Sequence, residues 1–124
     1  MNEYNANLIS DNKLHFNKSG FSEKLLGNNS LFIELIEYSI IQIPDEITNL
    51  KKAYDSKDVG KFKLFAHKLK GTALNMCFER LACIAIEAEE AAENNFDGDD
   101  ILLDKLNRLE SEWFKVEEEI KREL

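Results

Sequence analysis

Apolar residues along this chain recur mostly at steps of three and four, the spacing of helices that bury one face. The clearest run is Leu102, Leu106, Leu109, Trp113, Val116 and Ile120, whose alternating steps match a bundle seam. It predicts a helix from Asp99 to near the C-terminus. Upstream, Leu31, Leu35, Tyr38, Ile43, Ile47, Leu50 and Tyr54 predict a long helix capped by Asn29 or Ser30 and ending near Asp55. Pro44 within it removes a backbone donor and crowds the carbonyl of Ile40, so a bend is expected there. Asp58 caps a further predicted helix through about Met76, and an Ala-rich one runs from Glu79 to about Glu93. A short helix is expected from Phe21 to Leu26, stopped by Gly27-Asn28-Asn29.

No period-two run or hairpin dipeptide competes with these helices. The predicted fold class is all-α: an antiparallel up-and-down four-helix bundle with a short extra N-terminal helix. Residues 1–20 carry little periodicity and read as an arm that Leu14 and Phe16 pin to the body, which sets a loose arm at 1–13 and the domain at 14–124. The stretch Asn94 to Gly98 breaks the last two helices apart. Asn95 to Asp100 is expected to form a turn and N-cap; its Gly is too early, and no Glu closes the frame, for a calcium loop.

Composition narrows the function. The 124 residues suit one domain, and 44% hydrophobic content is enough for a core without staples. With 16 Lys and Arg against 24 Asp and Glu, the formal charge is −8, a poor balance for displacing counterions from nucleic acid. No GxxxxGK stretch is present, so a nucleotide site of its own is not expected. The N-terminus lacks a signal-peptide pattern and no apolar run approaches the roughly 20 residues of a membrane span, so a cytoplasmic protein is expected. Cys77 and Cys83, six apart, read as small buried residues in a reducing compartment. The initial Met and single domain suit a free-standing protein, and a monomer is expected.

The helix after Asp58 carries the chemistry. At about 100° per residue, Phe62, Ala66, Leu69, Ala73 and Met76 share an arc of roughly 80°, the core face. His67 lies about 150° from its middle and should face solvent, with Lys63 and Lys70 one turn before and after. Leu64 and Leu74 flank it, leaving apolar surface where a solvated face is usually polar. Gly71, mid-helix, costs about 1 kcal/mol relative to Ala, and its lack of a side chain opens room beside the imidazole. If the next turn is centred near residue 78, residues equidistant from it lie level, which pairs His67 with Glu89. A carboxylate there can accept the Nδ1 proton and leave Nε2 as the nucleophile. Glu87, Glu90 and Glu93 are taken as a solvated face or as i,i+4 partners. Neither His15 nor His67 belongs to the E-x-x-H pairs of di-iron bundles, so no metal site is expected.

The stretch Ala66-His67-Lys68-Leu69-Lys70-Gly71-Thr72-Ala73 resembles the signature of histidine-containing phosphotransfer (HPt) domains, in which a His-x-Leu-Lys-Gly-Ser/Thr/Ala run lies on an exposed face of a four-helix bundle. The similarity extends to Glu79-Arg80-Leu81, to Glu89 where the family has a Gln or Glu, and to the region from Phe21 to Ile47. It covers roughly residues 14 to 122. The family commonly has Gly ten residues after the histidine, where this sequence has Cys77, and a small hydroxyl residue in place of Lys68.

The resemblance implies a histidine phosphotransfer protein of a two-component phosphorelay. His67 accepts a phosphoryl group from the phospho-aspartate of a response-regulator receiver domain and passes it to another receiver. Glu89 orients the imidazole; Lys70, with Lys63 and Lys68, offsets phosphoryl charge. Leu64, Leu74 and Gly71 form part of the docking ring. Implied partners are receivers and a sensor or hybrid histidine kinase; the chain has no cofactor of its own, and magnesium belongs to the receiver. An adaptor bundle that binds a receiver or kinase without carrying phosphate is the alternative. Charge agrees with the transfer reading: residues 57–70 hold five Lys and one Asp, whereas residues 84–124 hold fourteen acids and five bases. A basic patch around His67 favours encounter with an acidic receiver site, and the acidic remainder disfavours anionic membranes.

Overall fold

The computed structural model describes residues 13–95 and 100–124. Five helices follow in chain order: α1 (Lys18–Lys24), α2 (Asn29–Asp55), α3 (Val59–Asn75), α4 (Glu79–Asn95) and α5 (Ile101–Lys121). No strand occurs among the described residues. Packing runs α2 on α3, α3 on α4, α4 on α5 and α5 back on α2, with α1 against α2. The chain is therefore an all-α four-helix bundle with one short helix added at its N-terminal end. Among the described residues no helix is long and apolar enough to cross a membrane.

Caps set several boundaries differently from expectation. Asn17, not a residue near Phe21, starts α1: its side-chain oxygen accepts from Gly20 N–H. Asn28 caps α2 through Leu31 N–H, one position before the expected Asn29. Asp58 caps α3 through Lys61 N–H as predicted. The long helix continues through Pro44 without a break. The last helix begins at Ile101, two residues after Asp99. The expected turn between α4 and α5 lies largely outside the described residues.

The ends of α1, α2 and α3 share one device. Leu26, Lys57 and Cys77 each have φ between 54° and 60°. In each case the next N–H reaches back over the last turn: Gly27 to Ser22, Asp58 to Ala53 and Phe78 to Ala73. Cys77 thus adopts the left-handed conformation that usually favours Gly, and the turn closes without one.

The core face predicted for α3 is buried in full, as is the α5 seam. On α2 the phase is different. Phe32, Ile36, Ser39, Ile43, Glu46, Ile47, Leu50 and Ala53 face the core, while Leu31, Leu35 and Tyr54 are half-buried and Tyr38 is exposed. Ser39 turns its hydroxyl to the carbonyl of Ile36, at 2.7 Å. Glu46 accepts from Gln42 Nε2 at 2.7 Å and from Thr72 Oγ1 at 2.9 Å, which ties α2 to α3.

The arm before α1 is pinned by an aromatic cluster. Phe16 meets Phe21, Phe32 and Phe78 at centroid distances of 5.9, 6.2 and 5.5 Å, and Phe78 meets Trp113 at 6.0 Å. Leu14 acts by its backbone and not by its exposed side chain: Arg80 N–H donates to its carbonyl at 3.0 Å. His15 Nδ1 lies 2.6 Å from Glu112 Oε2, joining the arm to α5. Both cysteines are free, and burial pushes the Cys83 thiol above its ordinary pKa.

Burial also raises the Glu112 pKa above the ordinary 4.5, opposed by the hydrogen bond and charge of His15 and by Arg80 and Lys115. The folded chain thus keeps that proton to higher pH than the unfolded chain. Its contribution to stability is full below the unfolded value and is lost as pH rises through the folded one. Glu112→Gln should remove this slope. The gap in urea-unfolding free energy, variant minus wild type, should then widen as pH rises above 4.5; a gap independent of pH would contradict the assignment.

Candidate functional site

Small residues govern how the site is assembled. Ala66 and Ala73 on α3, and Ala82, Ala85, Ala88 and Ala92 on α4, are all buried. Side chains this short let two antiparallel helices pack closely, and α3 with α4 is the most extensive helix pair. The Cys77 turn between them sets their register. His67 consequently stands level with Glu89 on the outer side of the pair.

The His67 side chain is 63% exposed, and its Nδ1 lies 3.3 Å from Glu89 Oε2. The other Glu89 oxygen lies 3.9 Å from Lys70 Nζ. One half-buried carboxylate is therefore shared by the imidazole and an ammonium. A carboxylate this close to Nδ1 favours a proton on that nitrogen, which would make Nε2 the basic one. Nucleophilic substitution at Nε2 would place positive charge on the ring, and Glu89 is positioned to balance it.

The remaining predicted residues surround this pair. Lys63 is one turn before His67 on the same face, and its Nζ lies 3.5 Å from Glu93 Oε1. Lys68 is exposed and pairs with no acid among the described residues. Leu64 and Leu74 are exposed by 62% and 51% and provide apolar surface on the His67 side of α3, before the imidazole and at the helix's C-terminal end. A Cβ added at Gly71 would meet nothing within 4 Å, so no helix contact requires glycine there. The open space lies one turn from His67, as the wheel implied.

Three residues near the site differ from their sequence assignments or escaped them. Glu93 is not a purely solvated acid or an i,i+4 partner, since it pairs across to Lys63. The equidistance rule that found Glu89 would have found it, because Lys63 and Glu93 are also equidistant from residue 78. Glu87 is likewise not solvated: it takes Lys105 at 3.0 Å and Arg108 at 2.9 Å, bridging α4 to α5. Glu46 is buried behind Thr72, and its Oε1 has no hydrogen-bond partner. No periodicity signal marks a carboxylate as buried. Glu90 is exposed, as expected.

The site is thus a solvent-facing imidazole with one oriented nitrogen, flanked by two ammonium groups and an apolar rim. Such an arrangement can present an imidazole nitrogen as a nucleophile beside positive charge. Among the described residues, no three His, Cys, Asp or Glu side chains converge as a metal site would require.

Substitution at Gly71 tests the packing statement. Gly71→Ala should fold normally and raise unfolding free energy by up to about 1 kcal/mol, the usual helix-interior difference. A loss of stability in urea titration would mean that glycine is required by a contact.

Comparison with known families finds that residues 34–122 match the family model described as Hpt domain. No curated protein and no solved structure matches the chain.

Proposed function

The chain belongs to the Hpt domain family, whose members carry phosphoryl groups on a histidine in phosphorelays, and from that premise we propose that His67 is the phosphoryl acceptor. The observation that supports this most directly is the exposed imidazole with Nδ1 at 3.3 Å from Glu89.

In this mechanism the partner is a receiver domain phosphorylated on aspartate. The Nε2 lone pair attacks phosphorus, an N–P bond forms, and the aspartyl O–P bond breaks with its electron pair returning to the carboxylate. The Nδ1 proton stays on the ring, and Glu89 balances the positive charge that develops there. Lys70, together with Lys63 and Lys68, offsets charge on the phosphoryl oxygens. Transfer of this kind asks for positioning and charge stabilisation more than for further covalent groups. The receiver supplies the magnesium ion and the acidic machinery; this chain supplies one nucleophile and its surroundings. The reverse reaction at a second receiver completes the relay.

Leu64, Leu74 and the gap at Gly71 form the docking rim. The side-chain-free position lets a receiver loop approach Nε2, while the leucines bury apolar area around the reacting atoms and exclude water. The excess of lysine on α3 steers an acidic receiver toward this face. Two free cysteines fit a reducing, cytoplasmic setting, and the chain acts as a monomer with a sensor or hybrid kinase at the head of the relay.

Incubation with a phosphorylated cognate receiver should label this chain with an acid-labile, base-stable adduct. His67→Gln should abolish labelling, and label persisting in that variant would sink the assignment. If wild type takes no label yet binds the receiver, the chain is an adaptor and not a carrier. Glu89→Ala should slow transfer by roughly tenfold to a hundredfold, as loss of a residue that orients a functional imidazole does in metal sites. An unchanged rate would refute its orienting role.

A further inference from the structure

The register that brings His67 level with Glu89 has a second rung. Lys63 stands level with Glu93, and their charged atoms are 3.5 Å apart. Lys63 and Lys70 are one turn before and after His67, and each is turned toward a carboxylate of α4. The two pairs differ in one respect. Glu89 also faces the imidazole, so that carboxylate is shared between the ring and Lys70. Glu93 has no ring to attend to. It competes for Lys63 whether or not the histidine is modified.

We propose that Glu93 is a positioning residue that holds Lys63 in reserve: when His67 Nε2 carries a phosphoryl group, Lys63 exchanges Glu93 for the phosphoryl oxygens, and the strength of its hold on Glu93 tunes how firmly the site keeps the dianion. This rests on the reading of His67 as phosphoryl acceptor. Side chains four apart on a helix are neighbours, so the lysine stem reaches the modified ring without movement of the backbone. The pair with Glu93 is weak by construction, because Lys63 is 38% exposed and Glu93 63% exposed. A phosphoryl group offers nearly two charges and three acceptor oxygens, against one charge and two oxygens on Glu93. The exchange therefore runs toward the phosphoryl group, with Glu93 setting its extent.

The test uses phosphoramidate, a small phosphoryl donor, to modify the purified full chain, followed by a pH titration of the phosphohistidine by phosphorus NMR. An ammonium beside the phosphoryl group stabilises its dianion and lowers its proton affinity. Glu93→Gln frees Lys63 and should lower that affinity about two- to fivefold, the range expected for an exposed ion pair. Lys63→Met should raise it by a similar factor. Combined with Lys63→Met, Glu93→Gln should have no further effect, and Glu90→Gln, which removes the same charge from an exposed neighbouring site, should have little effect in either background. An equal shift from Glu93→Gln with and without Lys63 would mean simple charge removal and overturn the proposal, as would no shift in any variant. If the chain takes no label, or His67→Gln is labelled to the same extent, the assignment of His67 itself fails and the reserve role falls with it. All four substituted positions are exposed or half-exposed, so folding is not at stake.

Discussion

Close packing of α3 against α4 is the constraint on which the site depends. Six buried alanines, Ala66, Ala73, Ala82, Ala85, Ala88 and Ala92, keep the two helices near each other. The turn at Cys77 then fixes which residues stand level. With φ at +60°, that cysteine allows Phe78 N–H to bond back to Ala73 while its ring enters the aromatic cluster below. A slip of one residue in this turn would rotate Glu89 away from His67 and leave the imidazole without its carboxylate. The nucleophile is on one helix, but its chemistry belongs to the pair.

The rest of the fold holds that pair still. Glu46 and Thr72 connect α2 to the back of α3, and Glu87 connects the outer part of α4 to Lys105 and Arg108 of α5. The arm through Phe16 and His15 covers the end of the bundle where the α3–α4 turn is located. These ties are polar or aromatic, and most lie at the edges of an aliphatic core. They leave the side chains of His67, Leu64 and Leu74 exposed, while Lys24 of α1 reaches the Leu74 and Asn75 carbonyls at 3.4 Å. The charge follows the same division: lysines collect on α3 and acids on α4 and α5. The net −8 therefore averages a basic helix with an acidic pair of helices.

How far the sequence could be read varied from helix to helix. On α3 the residues Phe62, Ala66, Leu69, Ala73 and Met76 form one arc nearly opposite His67, so the imidazole points outward even though Leu64 and Leu74 also lie off that arc. The α5 seam is equally clean. The α2 pattern is not, because Leu31, Phe32, Ile33, Leu35, Ile36, Ile40, Ile41 and Ile43 put apolar side chains around much of the cylinder. Periodicity cannot choose a phase there, and the neighbours chose one that buries Ile36 and leaves Tyr38 exposed. Caps were displaced for a related reason: Asn17, Asn28 and Asn29 are all competent caps, and backbone geometry selects among them. Glu46 and Glu87 were missed because nothing local distinguishes a buried carboxylate from a solvated one.

By itself the sequence determined the helix content, the order of helices, the outward direction of His67 and the antiparallel register that proposes Glu89. These follow from helical periodicity and chain connectivity, which are local properties. Only the tertiary structure decided which α2 face is buried, that Glu46 lies buried behind Thr72, and that Glu87 bridges α4 to α5. Those depend on which side chains from separate elements share one volume. Distances between atoms far apart in the chain are set by the packing of the whole bundle, and no short window of sequence contains them.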